Sequence, residues 1–169
     1  KLSDSLKLKV ATHVSGVIAP HLANALRTAC AEPEARIERV DEETVRVVYP
    51  SAAAGAGGYI ADSVKVEFGG RNSTEPQQEH GVAPYMAALL PKLTFPVARP
   101  RVLSPARTFW EKATLIHVEC SRAGAAPGVE RKCRHWYDLA MLAAGPIGEE
   151  ALERRALLED VVKHKKVFF

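Results

Sequence analysis

The sequence predicts an α+β fold: a small antiparallel sheet packed with helices, followed by a helical region. Three observations predict it. Residues 3–30 repeat apolar side chains at roughly helical spacing, residues 36–68 switch to strand-like alternation, and helical segments dominate from Ser104 onward. The chain has 169 residues, 47% of them hydrophobic and 25% charged, which is a globular balance and not that of a disordered or fibrous chain. This length holds one domain with a real core and is too short for two large ones.

The first helix is expected over residues 3–30, with Leu6, Val10, Val14, Val17, Leu22 and Leu26 on its apolar face. Pro20 is expected to break or restart it just after Ala19. Residues 36–49 then read as a hairpin, with Asp41-Glu42-Glu43 as its polar turn and Thr44–Tyr49 as the Val-rich second strand. Ser51–Gly58 reads as a loop of small residues. Another strand falls within Tyr59–Phe68, with Val64, Val66 and Phe68 on one face and Ser63, Lys65 and Glu67 on the other. Residues 69–80 are polar and turn-rich, and read as a loop. Met86–Leu90 is a short apolar stretch between prolines, and residues 95–102 suit an edge strand.

Ser104-Pro105 starts a helix, with Ser as N-cap and Pro at the first helical position, running to about Cys120. Gly124–Gly128 reads as a loop. A second helix is expected over Arg134–Ala144, stopped by Gly145-Pro146, and a third over Gly148–Lys165. No internal repeat is present. The expected division is residues 1–103, carrying helix and strands, and residues 104–169, all helical.

The net charge is +3, compatible with a phosphate or nucleic-acid ligand without requiring one. Arg131, Lys132 and Arg134 form one basic cluster, and Lys163, Lys165 and Lys166 another. Three widely spaced cysteines, Cys30, Cys120 and Cys133, imply no disulfide framework, so a reducing cytoplasm is the expected location. No signal peptide or membrane-length apolar run is visible, and no membrane partner is expected.

Candidate chemistry sits on separate rigid elements. Thr108 and Lys112 are four residues apart on one expected helix, and Arg134 and Asp138 are four apart on the next, so each pair shares a face. Glu67 lies on the polar face of a strand. Cations and carboxylates converging in this way suit a polyphosphate, whose transfer needs cations to neutralise charge and carboxylates to hold Mg²⁺ or orient the cations. Spacing alone does not separate this from salt bridges on solvated helix faces.

Weaker patterns point elsewhere. His117, Cys120, Cys133 and His135 match no standard zinc spacing, and Cys120 reads as core. Gly55-Ala56-Gly57-Gly58 lacks the Lys-Ser/Thr of a phosphate loop and reads as a hairpin tip. Gly69-Gly70-Arg71 reads first as a plain turn, with a phosphate-approaching arginine as the alternative. Trp110 and Trp136 read as packing residues before base-stacking ones.

Several segments, in order, carry a family resemblance. Val102-Leu103-Ser104-Pro105-Ala106-Arg107-Thr108-Phe109-Trp110-Glu111-Lys112 resembles the Leu-Ser-Pro helix start and Thr-x-x-x-Lys motif of the AbiEii/AbiGii toxin family of nucleotidyltransferases. His117 follows as in that family's Lys…Leu-His pattern. Arg134-His135-Trp136-Tyr137-Asp138-Leu139 resembles its Arg-His-x-x-Asp-Leu motif. Val64-Lys65-Val66-Glu67-Phe68 with Arg71, and His164-Lys165 with Phe168-Phe169, resemble two further segments.

The resemblance implies a partial nucleotidyltransferase fold, its rear part in residues 1–103. It implies transfer of a nucleoside monophosphate from an NTP to an acceptor, RNA and tRNA in particular, with Mg²⁺ as cofactor and an antitoxin protein as partner. Lys112 would contact the phosphates, Asp138 would orient Lys112 or the substrate, and Arg134 would support it. Thr108, Arg134 and Arg71 would bind substrate, and Glu67 would be a third acid, a metal ligand or the activator of the acceptor hydroxyl.

The family's Gly-Ser and Asp-x-Asp motifs, which hold two Mg²⁺ ions, do not occur in these 169 residues. Asp41-Glu42-Glu43 has acid–x–acid spacing but reads as a solvated turn. The expectation is that roughly one hundred residues lie upstream, on typical domain size, and that this chain alone is inactive. The competing reading is a degenerate member that only binds protein or nucleic acid.

Overall fold

A computed structural model describes residues 2–30, 32–50, 61–122, 124 and 129–168. The Gly55–Gly58 tip, the start of the Tyr59–Phe68 segment and most of the Gly124–Gly128 loop lie outside the described residues. The chain forms two compact units, Lys1–Asn72 and Ser73–Phe169. Helices alongside two small antiparallel sheets, of three and two strands, make it α+β, as expected.

The first unit opens with α1 (Leu2–His13), which runs through a π-helical turn (Val14–Ile18) into α2 (Ala19–Ala29). Pro20 has no N–H to bond the Gly16 carbonyl, and its ring would crowd that carbonyl in an α-helix. The chain responds by widening the preceding turn, so that the Ala19 N–H reaches back to the Val14 carbonyl. The helix is therefore re-phased at this point and not interrupted. Val17, expected on the apolar face, is 53% exposed. Ile18 takes the covered position, giving a stripe of Leu6, Val10, Val14, Ile18, Leu22 and Leu26. Its uniform four-residue spacing would drift about 40° per step around a regular α-helix. The wide turn offsets part of that drift.

Strands β1 (Arg36–Arg39), β2 (Thr44–Val48) and β3 (Ser63–Glu67) form an antiparallel sheet in that order. Val45 pairs with Val66 and Val47 with Val64, so valines stack across the ladder, and Val45 is fully buried. Val64 is 54% exposed, so the apolar face of β3 is covered unevenly. The Asp41 side chain accepts from the Glu43 N–H at 2.8 Å, closing the β1–β2 turn. That bond, with the Thr44 hydroxyl, holds the Asp41 carboxyl below its ordinary range. The acid–x–acid triplet is thus a turn, as read. After β3, Gly70 packs so closely on α1 that a Cβ there would meet Val10 Cγ2 at 2.8 Å.

In the second unit, β4 (Gln77–Glu79) pairs antiparallel with β5 (Arg101–Leu103). Residues 77–79 were expected as loop. They carry no apolar alternation, and only the partner strand makes them extended. The short α3 (Met86–Leu89) lies between. Then come α4 (Pro105–Cys120), α5 (Val129–Ala143), α6 (Pro146–Glu153) and α7 (Arg155–Phe168). Ser104 holds the N-cap position of α4, although its hydroxyl makes no cap bond. Its carbonyl instead accepts from the Thr108 N–H at 3.0 Å and hydroxyl at 3.2 Å.

The single helix expected over Gly148–Lys165 is two, divided at Arg154. Ala151 and Leu157 are six residues apart, so an unbroken helix would set them about 120° apart. The break lets both enter one core with Ala106 and Phe109, flanked by Trp110, Leu139 and Leu142. Trp110 and Phe109 meet edge to face at 5.0 Å, and Trp110 Nε1 donates to the Ala151 carbonyl at 3.0 Å. Trp110 is thus a packing residue. Trp136, given the same reading, is 48% exposed. Cys120, expected in the core, is exposed at the end of α4. Among the described residues no helix is long and apolar enough to cross a membrane.

Candidate functional site

Helix α4 presents Lys112 toward α5 because its other faces are occupied. Ala106, Phe109 and Ile116 are buried, and Trp110 packs against the core. Across from it, α5 presents His135 and Asp138, three residues apart and so on one face. Lys112 Nζ donates to Asp138 Oδ2 at 2.7 Å and lies 3.4 Å from His135 Nδ1. An ammonium has only donors, so Nδ1 is the acceptor and the imidazole proton sits on Nε2. The side chain of Lys112 is 19% exposed and that of Asp138 is 43% exposed, so the pair forms at a half-open surface.

The electrostatics follow from this geometry. The hydrogen bond from Lys112 holds the Asp138 carboxyl below its ordinary range, against a partial opposing effect of desolvation, with the charges of Lys112 and Arg134 adding to it. His135 is pushed below its ordinary 6.5, first by burial and then by the cations Lys112 and Arg134. A neutral imidazole and an ionised carboxylate therefore face one ammonium. Among the described residues two acceptors, one from His135 and one from Asp138, face its three N–H groups.

Thr108 lies one turn before Lys112, its hydroxyl donating to the Ser104 carbonyl at 3.2 Å. Its oxygen retains acceptor capacity only. Arg134 is exposed on α5 and acts on Asp138 and His135 through its charge. Glu67 and Arg71 belong to the first unit. There the Glu67 carboxylate takes Lys65 Nζ at 2.7 Å, an exposed pair along β3. Among the described residues no three His, Cys, Asp or Glu side chains gather as a metal site.

A model of the family "Nucleotidyl transferase AbiEii toxin, Type IV TA system" matches residues 11–168. The chain belongs to this family. The AbiEii assignment covers both units and agrees with the resemblance that the helix motifs carried. No curated protein matches the chain, and no solved structure does. In this AbiEii chain, Lys112 and Asp138 are the two of the sequence candidates brought into contact.

Two polar contacts went unread in the sequence. His135 lies in the Arg-His-x-x-Asp-Leu segment and otherwise only among the weak zinc candidates, and its place three residues before Asp138 was the available signal. Arg107 is 1% exposed, with Nε donating to Glu111 Oε1 at 3.1 Å and Nη1 to Asp160 Oδ2 at 2.6 Å. Its spacing to Glu111 is that of a helix ion pair, but its burial had no sequence signal.

Proposed function

We propose that this AbiEii chain carries the phosphate-handling part of an enzyme that transfers a nucleoside monophosphate from an NTP to an RNA acceptor, tRNA in particular. The observation that carries the reading is the Lys112 ammonium, oriented by Asp138 at 2.7 Å and backed by neutral His135. The acceptor hydroxyl gives up its proton to solvent as its oxygen forms a bond to the α-phosphorus, the bond from that phosphorus to the bridging oxygen breaks, and pyrophosphate leaves. Negative charge builds on the departing oxygens. A preoriented cation stabilises that charge without reorganising at the moment of reaction. Asp138 keeps the cation in place, and Arg134 adds to the positive potential.

Thr108 and Arg71 belong to the proposal as substrate-binding groups, and Glu67 as the third acid. Mg²⁺ belongs to it through the Asp-x-Asp motif of the resemblance. The described residues of this chain gather no ligand set for the ion, so no step here runs through it. The proposed setting is the cytoplasm, with an antitoxin as the counterpart of the toxin.

The test is Lys112→Ala in the full protein, assayed for incorporation of labelled nucleotide into RNA. Loss of roughly 10²–10³ in rate is expected, the scale for removing one preorganised charge-stabilising donor. The far-ultraviolet spectrum should be unchanged. Undiminished incorporation would remove Lys112 from the mechanism, and a wild-type protein that incorporates nothing would favour a pure binding module.

A further inference from the structure

A groove of about 550 Å³ runs between α4 and α7, away from the Lys112–Asp138 contact. Leu115, Val118 and Val162 give it an apolar floor, and His117, Arg122 and Lys166 stand along it. Its one acidic lining residue is already neutralised: Glu119 takes Lys132 Nζ at 2.7 Å and Arg122 Nη1 at 3.5 Å. Lys165 also lines it, with Nζ turned to the Glu111 carbonyl at 2.9 Å. The groove is therefore apolar inside and net positive at its edge. His117, Arg122, Val118 and Lys166 are exposed.

We propose that this groove holds the acceptor RNA as a single strand, with a base against His117 and the aliphatic floor and the flanking phosphates on Arg122 and Lys166. The inference rests on the nucleotidyltransferase reading and names the path its acceptor takes. Each nucleotide pairs a flat, weakly polar ring with a phosphate, which is the pairing the groove offers. Position also favours RNA. Val118 is six residues beyond Lys112 on the same helix, about 9 Å along its axis. The two positions are also about 120° apart around the helix, so a strand that leaves the groove must wrap part of the way around α4 to bring its end to the phosphate-holding lysine. Lys132 continues the positive edge from the groove toward His135 and Asp138 on α5.

The experiment measures RNA affinity of the full protein at several salt concentrations, alongside NTP affinity. Arg122→Glu with Lys166→Glu should weaken RNA binding at least about tenfold. It should also flatten the plot of log affinity against log salt by roughly 1.4, two phosphate contacts at about 0.7 each. NTP affinity should stay at the wild-type value. If the charge reversals compromise folding, Arg122→Ala with Lys166→Ala serves with the same expected slope change. His117→Ala should weaken RNA binding without altering the slope. Unchanged RNA affinity in the double variant overturns the proposal, as it would if an acidic protein filled the groove. Loss of NTP affinity overturns it too, since the groove would then serve the nucleotide. A wild-type protein that incorporates nucleotide while the groove variants bind RNA normally refutes the groove alone. A wild-type protein that neither binds RNA nor incorporates nucleotide refutes both readings.

Discussion

Arg107 Nη1 donates to Asp160 Oδ2 at 2.6 Å, tying α4 to α7 across 53 residues of sequence. The guanidinium is almost wholly buried, and among the described residues its Nη2 has no hydrogen-bond partner. The residue beside Thr108 therefore fixes the helix that carries Lys112, at the cost of one unsatisfied donor.

Arg107→Ala should destabilise the protein by about 2–4 kcal/mol, because it empties a packed site and removes the hydrogen bonds that Arg107 makes to Glu111 and Asp160. Arg107→Met fills the same volume and removes the unpartnered donor, so it should cost less. Urea unfolding of both variants checks this. An equal loss in the two would mean that the ion pairs, not the packed volume, dominate.

Gly148→Ala tests the α5–α6 corner. A Cβ there would sit 2.8 Å from the Ala143 backbone Cα and carbonyl oxygen, neither of which can swing aside. A loss of about 1–3 kcal/mol is expected, the usual range for overpacking, and read as a lowered Tm. A neutral substitution would show that α6 shifts freely against α5.

Lys112→Ala should raise the Asp138 pKa toward its ordinary 3.8, since the hydrogen bond from Lys112 is the main cause of its depression. Carboxyl resonances followed by NMR titration report this directly. The sign for stability follows. The folded pKa lies below the unfolded one, so the contribution is present above 3.8 and is lost as pH falls through the folded value. In the variant that acid-side loss should shrink.

His135 gives the other pH signature. Its folded pKa lies below 6.5, so the unfolded chain takes up a proton first as pH falls. Stability should decline from pH 6.5 downward to the folded pKa, and His135→Gln should flatten that slope in urea titrations. Protonation in the folded protein sets a second cation beside Lys112, so nucleotide incorporation should decline as pH falls through the folded pKa, below that interval. An identical pH profile in the variant would place the titration elsewhere.

The parts legible in the sequence are those fixed by local chemistry. Helix α4 is marked by Ser104-Pro105 at one end, and the β1–β2 turn by Asp41 accepting from its own backbone. Lys112 and Asp138 are legible as candidates for a shared site because each ends a five-residue motif on a helix, and the structure brings the two into contact. What the sequence hid depends on distant partners. Gln77–Glu79 is extended only because Arg101–Leu103 lies beside it, and Arg107 is buried only because Asp160 returns to meet it. The division at Arg154 answers to a core built from four segments of chain positions, not to any breaker residue nearby.

The π-helical turn before Pro20 has its own bearing on how this protein tolerates change. The wide turn takes in about one residue more than an α-helical turn, so removing one residue between Val14 and Ile18 would restore uniform winding and leave the facing of Leu22 and Leu26 nearly unchanged. The remaining penalty is Pro20 crowding the carbonyl one turn before it. A deletion within the regular turns of α1 or α2 would instead swing everything downstream by about 100°. Chain length is consequently less constrained at exposed Gly16 and Val17 than on either side of them.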